Sequence, residues 1–87
     1  ALPYAERAAV LGSNSPAVLD TLGWIRHLAG NSRGGLEPLR RAVAGDESLC
    51  EAWQHLADVE RAVGNTAAAG KAAERATACV AGRKATR

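Results

Sequence analysis

The sequence predicts an all-α fold built from pairs of antiparallel helices, and three observations lead to this prediction. Apolar residues recur every three or four positions along most of the chain, which is the spacing of an amphipathic helix, and the stretch LDTLGWIRHLAGN at 19–31 is typical. β-branched and aromatic residues are scarce, which argues against a β-sheet. The sequence also matches itself at an offset of 34 residues, as a chain made of repeated units does.

Length, charge and hydropathy narrow the class of protein. The 87 residues suffice for one small domain, and a chain of this size buries only about 60–65% of the surface that its unfolded form exposes. The formal net charge of +2 is too small to indicate a nucleic-acid partner. No run of about 18 apolar residues is present, so we expect no membrane-spanning helix. The chain opens inside a helical pattern and resembles a piece of a longer protein.

The repeat divides the chain into units. At the offset of 34, identical residues coincide where packing or a turn would demand them. These pairs are Leu22 and Leu56, Gly30 and Gly64, Asn31 and Asn65, Arg41 and Arg75, Ala42 and Ala76, and Ala44 and Ala78. We therefore divide the chain into half a unit at 1–15, two whole units at 16–49 and 50–83, and a basic tail at 84–87.

Five helices follow from the apolar spacing and its interruptions. We expect them at 2–11, 16–29, 33–44, 49–63 and 67–81. The first is the second helix of the incomplete unit. The next one begins at Ser15 and Pro16, where a capping hydroxyl precedes a residue whose φ already suits a helix. Gly30 and Asn31 end that helix.

The remaining helices have start and stop signals of the same kind. Pro38 falls in the opening part of the third helix, where a missing amide costs least, as Pro3 does in the first. Ser48 followed by Glu51 resembles a capping box at the start of the fourth helix. A second Gly-Asn pair, at 64–65, separates the fourth helix from the fifth.

Within the units, the spacing of large and small residues resembles the tetratricopeptide repeat. The matching positions are Leu19, Leu22 and Gly23 with Trp53, Leu56 and Ala57 in the first helices, and Gly35, Leu39 and Ala42 with Ala69, Ala73 and Ala76 in the second helices. The chain departs from the family where alanine replaces a large residue of a second helix, as at Ala73, and at two further positions. Arg26 and Glu60 replace an aromatic residue, and Glu47 and Ala81 replace a proline.

This resemblance implies an α-solenoid, with half a tetratricopeptide unit and two whole units forming about five helices in a right-handed superhelix. In that family, the first helix of each unit lines a concave side on which peptides dock. The resemblance therefore implies a non-catalytic protein–protein interaction module. Its candidate binding residues are Asp20, Trp24, His27, Glu51, Gln54, Asp58 and Arg61. Because three of these residues are acidic, we expect a neutral or basic peptide or protein segment as the partner.

Two questions of function stay open at this point. Trp24 is either an anchor for a ligand or a packing residue against the helix of a preceding unit. The chain itself has two alternatives to a docking module. Its first helix lacks a partner and could drive self-association or cap a longer array, or the chain could be the recruiting arm of a bacterial envelope or exopolysaccharide system or of an enzyme. The compartment, bacterial cytoplasm or periplasm, is not decided.

The sequence contains no pattern typical of catalysis. The only histidines are His27 and His55, and the chain has no serine elbow, no glycine-rich phosphate loop and no HExxH motif. We therefore expect no catalytic residue, no metal and no cofactor.

Two side-chain environments complete the predictions. Cys50 and Cys79 form no CxxC motif, and we expect them to be small buried or half-buried hydrophobic residues. A disulfide between them is conceivable, because the ends of two antiparallel helices lie side by side. We expect Arg26 to keep its guanidinium in water, or to form a weak ion pair with Glu60.

Overall fold

The computed structural model describes residues 15–85, and it describes the side chains up to residue 83. Within this range the chain forms four helices and no strand, which confirms the all-α prediction. The helices are α1 (Pro16–Leu28), α2 (Ser32–Gly45), α3 (Cys50–Ala62) and α4 (Thr66–Ala85). The expected helix at 2–11 lies outside the described residues. No helix in the described range is both long and apolar enough to cross a membrane.

The start of α1 and the ends of α1 and α3 follow the sequence signals. The Ser15 hydroxyl accepts a hydrogen bond from the amide of Val18 at 3.3 Å, and Pro16 is the first helical residue. Gly30 and Gly64 have φ values of +94° and +89°, a region that L side chains rarely adopt. A glycine in this conformation ends a helix cleanly, so both turns form where the sequence predicts them.

The predicted capping box at the start of α3 is wrong. Leu49 is the N-cap residue, and no side chain caps the helix there. The hydroxyl of Ser48 donates instead to Asp46 Oδ1 at 2.6 Å, and its backbone amide donates to the same oxygen at 2.9 Å. These two hydrogen bonds, the one from the hydroxyl first, hold the pKa of Asp46 below its usual range. Ser48 therefore stabilises the turn before α3 rather than the helix itself.

Helix α4 is longer than predicted. It continues to Ala85, four residues past the expected end at 81, and so includes Arg83 from the end of the second unit. Arg83 Nη2 donates to the Ser48 carbonyl at 3.1 Å, and Arg83 Nη1 lies 3.7 Å from the Glu51 carboxylate. No glycine with positive φ and no proline interrupts this stretch, so the last turn of α4 continues alongside the start of α3.

The helices pack as two antiparallel pairs, which we call the first pair (α1 and α2) and the second pair (α3 and α4). In the first pair the backbones touch, because a Cβ added at Gly35 would lie 2.5 Å from the Gly23 carbonyl oxygen. In the second pair, alanines 57 and 69 stand at the equivalent positions, and both are buried. Small residues therefore stand where the helices of each pair meet.

Both pairs share one hydrophobic core. Leu39 of α2 and Val59 of α3 are its largest fully buried side chains. The other buried members of this core are Leu19, Leu36, Ala42, Val43, Ala52, Leu56, Ala57 and Ala72. The contact between the pairs runs mainly from α2 to α3, with a smaller one from α1 to α3.

A buried carboxylate joins the two pairs. The Glu60 side chain is only 4% exposed, and its oxygens accept hydrogen bonds from Arg40 Nη2 at 3.0 Å and from Asn65 Nδ2 at 2.7 Å. The expected ion pair between Glu60 and Arg26 is therefore wrong. A carboxylate this deeply buried requires such partners, since an unpaired charge there would be strongly destabilising.

Arg26 has a different role, which depends on Pro38. Pro38 is the seventh residue of α2 rather than part of its opening turn, and it has no amide to donate to the Gly34 carbonyl. Arg26 Nη1 donates to that carbonyl at 3.2 Å. The expectation that the Arg26 guanidinium stays in water is therefore wrong, because this half-buried side chain replaces a missing helix hydrogen bond.

Candidate functional site

Four polar or aromatic side chains meet where α1 faces α3, and we call them the Trp24 cluster: Asp20, Trp24, His27 and His55. The Trp24 ring stacks on the His55 ring with centroids 4.1 Å apart and planes inclined by 17°. The His27 ring is tilted against the same indole at a centroid distance of 5.1 Å. Three of the four were predicted as binding residues: Asp20 and Trp24 contact His55, and His27 contacts Trp24.

Asp20 fixes the orientation of His55. Its Oδ1 lies 2.8 Å from His55 Nδ1, and both side chains are half-buried. A carboxylate accepts hydrogen bonds only, so Nδ1 carries the proton and Nε2 is the acceptor nitrogen when the ring is neutral. This contact also connects α1 to α3, and it holds the imidazole flat against Trp24.

His27 is held separately. Its Nδ1 lies 2.7 Å from the hydroxyl of Ser32, the first residue of α2. The Ser32 hydroxyl and the Asp20 carboxylate thus contact different imidazoles, those of His27 and His55. In the described part of the chain, no single histidine joins a hydroxyl to a carboxylate, which is the arrangement that activates a serine nucleophile. The geometry suits a packed and oriented surface better than a nucleophilic centre.

Trp24 packs against the hydrophobic core, and its stacking partner His55 belongs to α3 of the following pair. A preceding unit lies outside the described residues, so packing against its helix stays a prediction, as does contact with a ligand. The Trp24 residue is half-buried. Leu28 lies four residues further along α1 and is 67% exposed, the only large apolar side chain in the described range with such exposure. Residues four apart share one helix face, so these two side chains extend a single apolar surface.

Each of the three acidic candidates has a cationic or imidazole partner. Asp20 binds His55, the Glu51 carboxylate lies 3.7 Å from Arg83 Nη1, and Asp58 accepts from Arg61 at 3.2 Å. The last two pairs are largely exposed, and such pairs contribute roughly 0–1 kcal/mol. Internal pairing offsets most of the negative charge from which we expected a preference for basic partners.

The other predicted residues lie along the second pair. Gln54, Asp58 and Arg61 line an open groove of about 370 Å³ between α3 and α4, whose far wall consists of Ala73, Ala76 and Thr77. Gln54 also lines the adjoining groove next to Val80 and Ala81. Glu51 stands at the start of α3, beside the end of α4. The seven candidates thus fall into two groups, one at the Trp24 cluster and one along α3.

The two cysteines form a disulfide, so the expectation that they are separate small hydrophobic residues is wrong. Cys50 is the first residue of α3, and Cys79 lies near the end of α4, with their Cα atoms 5.5 Å apart. The physical reason is the antiparallel pairing, which places the start of one helix beside the end of the other. The same geometry made the bond conceivable from the sequence, but spacing alone could not decide it.

Further contacts anchor the connection before α3. Trp53 Nε1 donates to the Glu47 carbonyl at 3.0 Å, and the Arg75 guanidinium lies 4.7 Å from the centre of the Trp53 ring. The Arg75 guanidinium also donates to the Glu47 carboxylate. The Trp53 indole N–H thereby has an acceptor, and its ring contacts the Arg75 guanidinium.

His55 is the residue of the Trp24 cluster that sequence reasoning did not place. Thr21 occupies the equivalent position of the preceding unit, so the repeat gives no signal, and only the packing of α1 against α3 brings His55 to Asp20. In the described part of the chain, no three His, Cys, Asp or Glu side chains converge as a metal site requires. No protein-family model and no curated protein matches this chain.

Proposed function

We propose that this chain is part of a tetratricopeptide-type α-solenoid and serves as a non-catalytic module for protein–protein interaction. Three facts support the proposal. Sequence self-similarity has a period of 34 residues, helices α1 and α3 begin 34 residues apart, and the small residues of that repeat lie where the helices of each pair meet. In a solenoid the regular stack supplies a rigid surface, and its side chains give the surface its function.

The observation that carries the proposed function is the Trp24 cluster beside Leu28. A partly accessible indole, backed by His55 and followed by an exposed leucine on the same helix face, provides a preformed apolar contact. Rigid aromatic anchors of this kind dominate the binding energy of many interfaces. Because the nearby acids already have partners, we favour a neutral segment with one apolar or aromatic anchor over a strongly basic one.

A peptide array probed with the folded protein tests this function. Peptides that bind the wild type should bind Leu28→Ala about ten-fold more weakly, since an apolar contact of this size contributes roughly 1–1.5 kcal/mol. Leu28 is exposed, so the substitution leaves the core intact. Glu74→Ala, on the exposed surface of α4, is the control and should bind like the wild type. If Leu28→Ala and Trp24→Ala both bind the peptides as tightly as the wild type does, this surface is not the binding site.

The disulfide indicates the kind of compartment in which the protein works. Disulfides persist in oxidising compartments and are rare in the cytosol. We therefore infer that the module works in an envelope or another oxidising environment, as the alternative of an envelope or exopolysaccharide recruiting arm requires. Alkylation of free thiols in living source cells before lysis tests this, and a mass showing both cysteines alkylated would contradict it.

Self-association stays a prediction, because it depends on the expected helix at 2–11, which lies outside the described residues. Light scattering over a hundred-fold range of concentration distinguishes the two modes. A mass that rises with concentration supports self-association. A constant monomeric mass contradicts it and is the result expected of a monomeric docking module.

A further inference from the structure

The disulfide joins two sulfurs in different surroundings. Cys50 is only 2% exposed, whereas Cys79 is half-buried and lines an open groove of about 540 Å³. The other residues of this groove are Glu47, Ser48, Ala78, Gly82 and Arg83. A nucleophile in solution can therefore reach the sulfur of Cys79, while the sulfur of Cys50 is screened by the protein.

The two sulfurs also differ in the effects that act on a departing thiolate. Cys50 is the first residue of the 13-residue helix α3, and a helix N-terminus stabilises a thiolate. The neighbouring Glu51 opposes this effect, but its carboxylate is paired with Arg83. Cys79 lies six residues before the last residue of α4, outside the last turn, so the helix dipole does not act on its sulfur. The helix N-terminus and burial act on a Cys50 thiolate in opposite directions, so access decides which sulfur is attacked.

Access therefore distinguishes the two sulfurs. We propose that this disulfide is a thiol-exchange site, at which a small-molecule thiol forms a mixed disulfide with Cys79 and releases Cys50 as the buried thiolate. The site thereby takes a thiol modification at one defined sulfur, in addition to the docking function proposed above.

The exchange and its reversal each form one sulfur–sulfur bond and break one. The thiolate RS⁻ attacks Cys79 Sγ, an RS–Sγ bond forms, the Sγ–Sγ bond breaks, and its electron pair leaves on Cys50 Sγ. In the reverse step, the Cys50 thiolate attacks Cys79 Sγ and expels RS⁻, which restores the disulfide. Alternatively, a second RS⁻ attacks the sulfur of the RS group in the mixed disulfide. The RS–Sγ bond then breaks, RSSR is released, and Cys79 leaves as a thiolate. The protein then gains two electrons and binds two protons as a dithiol.

The structure gives this exchange a mechanical consequence. The disulfide closes the end of the second pair, and the contacts from Arg83 to Ser48 and Glu51 lie on the same end. Opening the bond leaves the last turns of α4 with these polar contacts and little apolar burial, since residues 81–83 are exposed. Two residues of these turns, Val80 and Ala81, also line the groove beside Gln54.

The oxidised 87-residue chain, treated with reduced glutathione at neutral pH without oxygen and quenched with acid, tests the site. Peptide mapping by mass spectrometry then locates the adduct. We expect roughly ten times more glutathione on Cys79 than on Cys50, because attack requires access to the sulfur. An even distribution, an excess on Cys50, or a disulfide that resists reduction throughout would overturn the proposal.

Two controls separate this selectivity from the intrinsic chemistry of the peptides. In concentrated urea, the burial of Cys50 and the helix N-terminus are lost, so the two adducts should form in similar amounts. The second control treats two single variants with oxidised glutathione: Cys50→Ser, which retains the Cys79 thiol, and Cys79→Ser, which retains the Cys50 thiol. Circular dichroism checks the helical content of both. The thiol of Cys79 should be modified in the folded state, and the thiol of Cys50 should become accessible only on unfolding. Modification of both at one rate in the folded state contradicts the assignment.

Discussion

The two helix pairs close the same end in different ways. Pro16 and Gly45 of the first pair coincide with Cys50 and Cys79 of the second at the offset of 34. In the first pair the proline ring packs on the glycine, and a Cβ added at Gly45 would lie 3.0 Å from Pro16 Cγ. In the second pair a covalent bond occupies this place. One packing position therefore accepts two different chemistries, and only the second pair depends on the redox environment.

The middle of each pair gives a second contrast. Glycines 23 and 35 bring the backbones of the first pair into contact, whereas buried alanines 57 and 69 stand at the equivalent positions of the second. Position eleven of each unit contains a charged residue, Arg26 or Glu60. Arg26 donates to a carbonyl that a proline left free, and Glu60 accepts from Arg40 and Asn65. The repeat sets the position of a side chain, but its partners come from neighbouring helices.

Removing the disulfide is expected to have the largest effect. With Cys50→Ala and Cys79→Ala combined, the free energy of unfolding should fall by about 3–4 kcal/mol, because a link spanning 29 residues no longer restricts the unfolded chain. Pro16→Ala, at the equivalent place in the first pair, should cost only about 0.5–1 kcal/mol. Urea denaturation measures both. Equal losses would mean that the two ends are energetically alike.

Gly35→Ala tests the backbone contact of the first pair. The added methyl meets the Gly23 carbonyl, which belongs to the backbone and cannot move aside, so the free energy of unfolding should fall by about 1–3 kcal/mol.

Gly70→Ala is the matched control for that substitution. It lies within α4 with nothing within 4 Å of the new Cβ, and it should stabilise the protein by about 0.5–1 kcal/mol. Thermal and urea unfolding of both variants should therefore shift in opposite directions. If Gly35→Ala is tolerated as well as Gly70→Ala, the glycines do not hold the first pair together.

A double-mutant cycle tests the substitution of a side chain for a helix hydrogen bond. Arg26→Met should cost about 1–2 kcal/mol, because the Gly34 carbonyl loses its donor. In the Pro38→Ala background the restored amide supplies that donor, so Arg26→Met should cost less. Unfolding free energies of the four proteins give the coupling. A coupling of zero would indicate that the two residues act independently.

The smallest expected effect concerns Asp46, in the connection between the pairs. Its pKa is lowered in the folded protein by the hydrogen bonds from Ser48, so the unfolded chain binds the proton more readily. The stabilisation is thus present above the unfolded pKa and is lost as the pH falls through the folded value. The stability advantage of the wild type over Asp46→Asn should shrink between neutral pH and about pH 3.

The uncharged substitution Gly70→Ala provides the reference for this pH series, since its effect on stability should not vary with pH. An advantage of the wild type over Asp46→Asn that grows on acidification would contradict the direction of the pKa shift.

Local sequence signals predicted the start of α1 and the turns that end α1 and α3. Ser15, Pro16, Gly30 and Gly64 act through their own backbone and nearest neighbours, so the structure places the helix boundaries where these residues predict them. Ser48 is one exception, because its hydroxyl donates to Asp46 Oδ1 instead of accepting from a backbone amide at the start of α3. For the candidate site, the repeat placed Trp24 on the correct helix, but it gave no information on His55.

By itself, the sequence determined the all-α class, the positions of the turns and the small residues at which the helices of each pair meet, because these depend on spacing, glycine conformation and side-chain size. The tertiary structure alone decided which long-range partners meet: Cys50 with Cys79, Asp20 with His55, and Arg40 with Glu60. These partners are at least 20 residues apart, and each pair forms only after two helices have packed in one particular orientation.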